Sequence, residues 1–384
     1  MKILHILNAN ERNSLNLFTQ LYEKFDLTNH SFVVLNYEDK VERIFPNFYK
    51  LPNLIYLSET NLIKKSLDLY KLMFAADKII FHSLIFNTNK FVLFFAIFKR
   101  FLKKSVWVEW GADLYNWKRP EVNLKNKFLN FLNFRVRKTI PAVGLTFLGD
   151  KNAVVEQFGD KQFFDTPLPF GTERIDLIKD VCMRTRDLKH KSIRIQVAHN
   201  ALPINNHYSI LEKLEKFALH DIQLILPLSY GTFGLSGQFK GLTYRNNLIT
   251  VANLMFPKKT LVLKKEIDLK FYLNYLNNID ILVFDCDRPI ALANIYYAYM
   301  LGKKIFVSKT SPQYQFYLDH GLKVFATDDI PHMTFDEFIK NDLTPAFDKE
   351  GQLLDIPPLL YNKFFPYKDI LNWGKLFDFL NSSK

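Results

Sequence analysis

The stretch VWVEWGADLYNW, Val106 to Trp117, places a carboxylate where a strand gives way to a loop. The run is aromatic and alternating as far as Trp110, and Gly111 then permits a sharp turn. Asp113 falls just beyond, on the carboxyl edge where open α/β sheets bind their ligands. A carboxylate there suits a proton acceptor, and it equally suits the N-cap of a short helical turn through Tyr115. Glu109 inside the strand, and His82 and Glu11 near other strand ends, are further acid–base candidates. A second carboxylate pair, Asp285 and Asp287, follows an apolar run; two such groups can hold Mn²⁺ or Mg²⁺ against a diphosphate.

The elements that position these residues follow from the alternation of apolar runs and helical stretches. Strands are expected at Lys2–Leu7, Ser31–Leu35, Asn53–Leu57, Lys78–His82, Ser105–Trp110 and Ala142–Phe147, separated by amphipathic segments such as Ser14–Phe25, Asn61–Ala75 and Asn89–Lys103. This βαβ order predicts a parallel sheet with helices on both faces. The pattern weakens through Pro167 and Pro169, and the charged run Arg184 to Ser192 reads as an inter-domain connection. It then restarts, with strands at Ser192–Ala198, Ile222–Pro227, Asp280–Phe284, Lys304–Val307 and near Lys323–Ala326. The expected division is residues 1–185, residues 192–365 and an amphipathic closing helix over 366–384, with ligand bound in the cleft between two sheets.

Composition bounds the rest. At 384 residues the chain suits two domains of about 190 residues each, and 48% hydrophobic residues suffice for both cores. A net charge of +12 implies a positive face and an anionic partner. Cys182 and Cys286 lie far apart and start no CxxC, which argues against a disulfide framework or zinc site and for a reducing compartment. The apolar run Phe91 to Phe98 falls far short of the about 20 residues of a spanning helix.

WGADLY resembles a segment of the bacterial N-acetylfucosaminyltransferases that act on a polyprenyl-linked disaccharide, the dTDP-N-acetylfucosamine:lipid II transferases of glycosyltransferase family 56. Lys78 to Asn87, Arg194 to Leu211, Ile225 to Gly231 and Tyr272 to Ile295 are similar to further segments of that family, in the same order. One departure is plain: Pro289-Ile290-Ala291-Leu292-Ala293-Asn294 stands where the family has Gln-Gln-Gly-Ile-Gly-Thr. The resemblance implies an α/β chain of GT-B fold, two Rossmann-like domains, with the donor nucleotide mainly on the second and the lipid-linked acceptor on the first. It implies transfer of a deoxy-amino sugar from dTDP to a polyprenyl-diphosphate-linked glycan at the cytoplasmic face of the inner membrane. A UDP, GDP or CMP sugar used in capsule, O-antigen or lipooligosaccharide synthesis is the alternative.

The second-half loops suit that role. A sugar diphosphate needs a helix N-terminus and a few cations or amides, which His199, Asn200, Arg288 and Asn294 supply from strand-to-helix loops, with Tyr230 placed to stack. Helix dipoles and cations of this kind replace the metal of the Asp-x-Asp enzymes, so no cofactor or metal is expected. For the base, Asp113 has the best position and His82 the next. No E-x₇-E motif appears in the second half, which leans towards inversion. Phe and Leu mixed with Lys and Arg in Arg119 to Lys138 suggest an interfacial helix, with Trp110, Tyr115, Lys125, Lys127, Arg135 and Arg137 facing acceptor or membrane. A basic nucleic-acid-binding protein is the distant alternative, and no RNP, helix-turn-helix or zinc module supports it.

Overall fold

The structure, a computed structural model, describes residues 1–7, 12–35, 53–57, 62–84, 89–168, 173–184, 192–231, 238–265, 267–364 and 368–382. Glu11, the end of the segment Lys78 to Asn87, Pro169 and most of the charged connection lie outside them. The chain divides into two compact units, Met1–Phe170 with Pro366–Lys384, and Gly171–Phe365.

Among the described residues, unit 1 holds seven parallel strands: β1 (Ile3–Leu7), β2 (His30–Val34), β3 (Leu54–Tyr56), β4 (Lys78–His82), β5 (Ser105–Glu109), β6 (Ala142–Leu145) and β7 (Gln162–Asp165). Their order is β3-β2-β1-β4-β5-β6-β7. The strand side chains alternate between two cores. Leu4, Ile6, Ile79, Phe81 and Trp107 point to one, beneath helices Leu62–Ala75, Asn89–Ile97 and Leu124–Thr139. Ile3, Leu7, Ile80, Val106 and Val108 point to the other, under helices Arg12–Lys24 and Lys368–Ser382. Burial on both faces explains why these strands read as nearly continuous apolar runs. The closing helix is fastened by Asn372, which donates to Asp165 Oδ2 at 2.6 Å, and by the Trp373 indole, which donates to the Pro167 carbonyl at 3.2 Å.

Unit 2 repeats the plan with, among the described residues, six parallel strands: β8 (Ile193–Val197), β9 (Ile222–Pro227), β10 (Thr260–Leu263), β11 (Ile281–Phe284), β12 (Lys304–Val307) and β13 (Phe325–Ala326), in the order β10-β9-β8-β11-β12-β13. In both units the order reverses beside the first strand, between β1 and β4 and between β8 and β11. Strands β7 and β10 escape the sequence pattern because both are four-residue edge strands, each with only partial burial. The unit boundary also differs from the expected one. Helix Glu173–Met183 belongs to unit 2, where Asn277 donates to the Val181 carbonyl and the Cys182 thiol lies 3.7 Å from the Met300 carbonyl oxygen.

Candidate active site

In unit 2 the loops that follow β8 and β11 flank the strand-order reversal, where doubly wound sheets open a crevice. At the end of β8, Ala198 takes a left-handed conformation (φ 58°) and donates its N–H to Val283 on β11. Asn200 then folds the loop upon itself. Its Oδ1 accepts from the Leu202 N–H at 2.9 Å and from the Asn205 amide at 2.7 Å. That leaves its amide nitrogen, 2.9 Å from His199 Nε2, as a donor, and places the imidazole proton on Nδ1. Burial, reinforced by the Arg288 charge, pushes the His199 pKa down to about 4, so the ring is neutral. Asn200 is therefore a builder of the loop, a correction to its expected contact with donor, because its polar atoms are taken by the loop itself.

Arg288 Nε is buried around this loop without a hydrogen-bond partner; His199 Nδ1, Asn205 Oδ1 and His207 Nε2 are buried with no well-formed bond, His199 being near the Asn205 side chain and His207 near the Asn200 backbone. His207, whose other nitrogen is 3.0 Å from the Tyr244 hydroxyl, is held neutral by burial and by His199. Tyr230, at the end of the neighbouring strand, is 44% exposed, and its ring centroid lies 6.2 Å from that of His199. On the other flank, the buried Gln313 grips both backbone groups of Ile290, accepting its N–H at 3.0 Å and donating to its carbonyl at 2.8 Å. Ala291 follows with φ 55°, a conformation that costs an alanine about 1 kcal/mol or more. It is the N-cap of helix Leu292–Met300, and no side chain caps that terminus. Asn294 sits in its first turn. The first N–H groups of a helix have no intrahelical partner, which makes this end ready for an anion.

The Asp285–Asp287 pair does not fit a metal. Asp285 accepts from Lys213 at 2.6 Å, Ser209 at 2.7 Å and Thr327 at 2.6 Å, while Asp287 accepts from Thr310 at 2.6 Å. Lys213, Thr327 and Ser209 hold the Asp285 carboxyl below its ordinary value despite burial. The pair ties the β11 loop to its neighbours.

In unit 1 both residues expected to be catalytic, Asp113 and His82, are buried. Asp113 is 1% exposed, and its carboxylate accepts three hydrogen bonds, from the Leu84 N–H at 2.7 Å, the Trp107 indole at 2.6 Å and the Trp110 N–H at 2.8 Å. Those bonds lock the turn, so that the carboxylate holds this end of β5 in place where it lines a cavity of unit 1. Glu109 is sealed in similarly, accepting from Gly111 and Thr146; burial, then Asp150 and Asp113, hold its carboxyl well above the usual range. His82 lies inside the core at the end of a histidine chain. His5 Nδ1 is 2.9 Å from His82 Nε2, and His5 Nε2 is 2.8 Å from His30 Nδ1. Burial lowers the His82 pKa to about 3, and Trp373 stacks over its ring.

Two acceptor or membrane assignments are corrected for the same reason. Arg137 is 1% exposed; it donates to the Leu84, Asp113 and Asn133 carbonyls and lies over the rings of Trp107 and Trp117. Burial pushes its pKa down to about 10. Tyr115 donates to Asp150 at 2.5 Å and joins two loops. Trp110 is half-buried, with a buried indole N–H that has no partner. Lys125, Lys127 and Arg135 do reach solvent, beside an apolar surface formed by Val122, Leu124, Phe128 and Phe131, which are 51 to 84% exposed. Sequence reasoning missed Asn205 and His207 as loosely bonded groups, and Gln313 as the clamp. Their only signal was an Asn-Asn-His run opening a helix and a Ser-Pro-Gln start to another.

Comparison with known proteins fits this architecture. HepE from Anabaena, solved with UDP-glucose, superposes with a TM-score of 0.63 at 12% identity over 100% of both chains. A glycosyltransferase from Rickettsia africae gives 0.63 at 13% identity over 100% of this chain and 99% of that one. A trehalose-phosphate synthase from Burkholderia vietnamiensis gives 0.60 at 10% identity over 100% and 98%. No curated protein sequence matches closely enough to count as a relative. The fold is thus that of the GT-B glycosyltransferases. The pattern that defines the family "4-alpha-L-fucosyltransferase glycosyl transferase group 56" matches residues 1–345, and the chain belongs to that family of glycosyltransferases.

Proposed function

We propose that this glycosyltransferase moves a deoxy-amino sugar, N-acetylfucosamine-like, from dTDP to a polyprenyl-diphosphate-linked glycan, with inversion and without a metal. The observation that carries the donor half is the buried, unpartnered Arg288 Nε at the unit 2 strand-order reversal, opposite a loop whose His199, Asn205 and His207 are only loosely bonded. Burying a polar atom unpaired costs about 1–3 kcal/mol, and a ligand that pairs with Arg288 recovers it. Arg288 and the uncapped end of helix Leu292–Met300 are placed to offset the charge that develops on the departing diphosphate. Tyr230 offers a ring to the base or sugar.

For the acceptor half, the support is the outer face of helix Leu124–Thr139. Its exposed Leu124, Phe128 and Phe131, flanked by Lys125, Lys127 and Arg135, match a helix lying on an anionic bilayer. Among the described residues no helix is long and apolar enough to cross a membrane, so attachment is peripheral in this reading.

Melting temperature measured against dTDP, UDP, GDP and CMP tests the donor assignment, since a ligand of the native state raises it by mass action. dTDP should give the largest rise, and Arg288→Ala should weaken it by on the order of tenfold in Kd. A larger rise with UDP, GDP or CMP would replace dTDP as donor carrier. No rise with any nucleotide removes the site.

A further inference from the structure

Unit 1 contains a cavity of about 270 Å³ at the carboxyl ends of β4 and β5, close to the lower bound of about 300 Å³ for small-molecule sites. Leu84, Ala112, Asn116 and Trp117 line it, Arg119 and Arg137 bring two cations to it, and the Asp113 carboxylate, already engaged by three N–H groups, brings one negative charge. Arg137 is fully committed to carbonyl oxygens and Asn133. Arg119 is not. Its backbone is gripped from both sides by one buried amide. The Arg119 N–H donates to Asn130 Oδ1 at 2.9 Å, and Asn130 Nδ2 donates to the Arg119 carbonyl at 2.9 Å. Asn130 is 4% exposed. The Arg119 guanidinium has no hydrogen bond or ion pair among the described residues; the nearby Glu121 is paired with Lys118 instead. The Asn116 amide is likewise unpaired.

Asn130 thus fixes where the Arg119 side chain leaves the main chain, with Glu121 Oε1 a further 3.5 Å contact of its amide, and the unpartnered guanidinium keeps its fork of donors for an anion. Helix Leu124–Thr139 supplies Asn130, Asn133 and Arg137 on its inner face and the exposed Leu124, Phe128 and Phe131 on its outer one. One helix therefore presents an apolar surface and helps build, behind it, a cavity lined by two arginines and one carboxylate.

We infer that Arg119 grips the diphosphate of a membrane-anchored acceptor in this cavity, with Asn130 as its positioning residue. This rests on the proposed function and names how the acceptor is held. A planar, five-donor group bonds a diphosphate through two parallel N–H···O contacts, and the Asn116 amide adds a donor beside it. The indole of Trp117 gives the adjoining wall an apolar face.

The test is binding of the full chain to three surfaces: phosphatidylcholine vesicles doped with a polyprenyl diphosphate, vesicles doped with phosphatidylglycerol, and undoped vesicles. Inorganic pyrophosphate serves as a soluble competitor. Arg119→Gln should weaken binding to the diphosphate vesicles on the order of tenfold, leave phosphatidylglycerol binding unchanged, and leave the dTDP-induced melting shift intact. Arg119→Lys should recover only part of the loss, because an ammonium lacks the fork. Asn130→Ala should reproduce the loss, and the double variant should bind no worse than Arg119→Gln alone. Asn130→Ser, which keeps a neutral donor and acceptor and adds no charge, covers a poorly folding alanine variant. Wild-type affinity in Arg119→Gln overturns the inference, as does an equal loss on phosphatidylglycerol or a failure of pyrophosphate to compete. Arg119-dependent diphosphate binding without any nucleotide shift would instead sink the donor assignment and leave this site standing.

Discussion

Replacing Asp113 distinguishes a carboxylate that holds the fold from one that takes a proton. Its Oδ2 accepts from the Leu84 and Trp107 N–H groups and its Oδ1 from the Trp110 N–H. In Asp113→Asn the remaining oxygen, placed at Oδ2, keeps the first two bonds, and the new amide meets the Trp110 N–H donor to donor. One buried donor is orphaned, at a cost of about 1–3 kcal/mol. Asp113→Ala orphans all three, at roughly 3–9 kcal/mol on the same scale, and removes the negative charge beside Arg137. A unit of this size loses about 2–4 °C per kcal/mol. The expected order of melting temperatures is wild type, then Asn, then Ala, with the alanine variant lower by at least about 6 °C. The assay is thermal and urea unfolding of all three proteins, with turnover measured well below every transition. If Asp113→Asn melts with the wild type while its turnover drops by about 10²–10⁴, the scale of a lost general base, the structural assignment is wrong.

Three further outcomes follow from the same reasoning. The histidine chain should make unit 1 acid-sensitive. Burial lowers the pKa of His30 to about 4 and of His82 to about 3, while the unfolded chain titrates near about 6.5. Above that value neither state binds the proton and nothing changes. Below it only the unfolded chain does, so stability falls with falling pH by about 1.4 kcal/mol per unit for each ring. The urea midpoint should drop between pH 6.5 and 5, less steeply in His82→Gln; a flat midpoint contradicts this. Lys213→Met leaves Asp285 a buried, unpaired carboxylate and should cost about 3–5 kcal/mol, whereas Lys309→Met, which breaks an exposed pair, should cost under about 1 kcal/mol; similar losses in both would discredit the contrast. Phe128→Ser with Phe131→Ser should abolish most vesicle binding without lowering the melting temperature, since both rings are about half exposed. Unchanged sedimentation with anionic vesicles would move the membrane contact elsewhere.

Much of the fold was legible in the sequence. Central strands such as Lys78–His82 and Ile222–Pro227 are apolar on both faces, and that leaves a continuous run no loop imitates. The edge strands Gln162–Asp165 and Thr260–Leu263 left no such mark, because one side of an edge needs no apolar partner. In unit 2, position alone places His199, Tyr230 and Arg288 at strand ends beside the sheet's order reversal, and the structure has them there.

What the sequence determined by itself is the alternation, hence two parallel sheets, and the residues that stand at their carboxyl ends. Those are local properties, set by period and neighbour. What only the tertiary structure decided is which polar groups are satisfied. Asp113 looked like a base until Leu84, 29 residues earlier, and Trp107 closed over it. Arg137 looked like a membrane contact until its helix turned it inward. Arg119 was one basic residue among many until Asn130, 11 residues on, fixed its backbone and left its charge open. Whether a donor finds an acceptor depends on what folding brings across from distant chain, and spacing along one segment does not encode that.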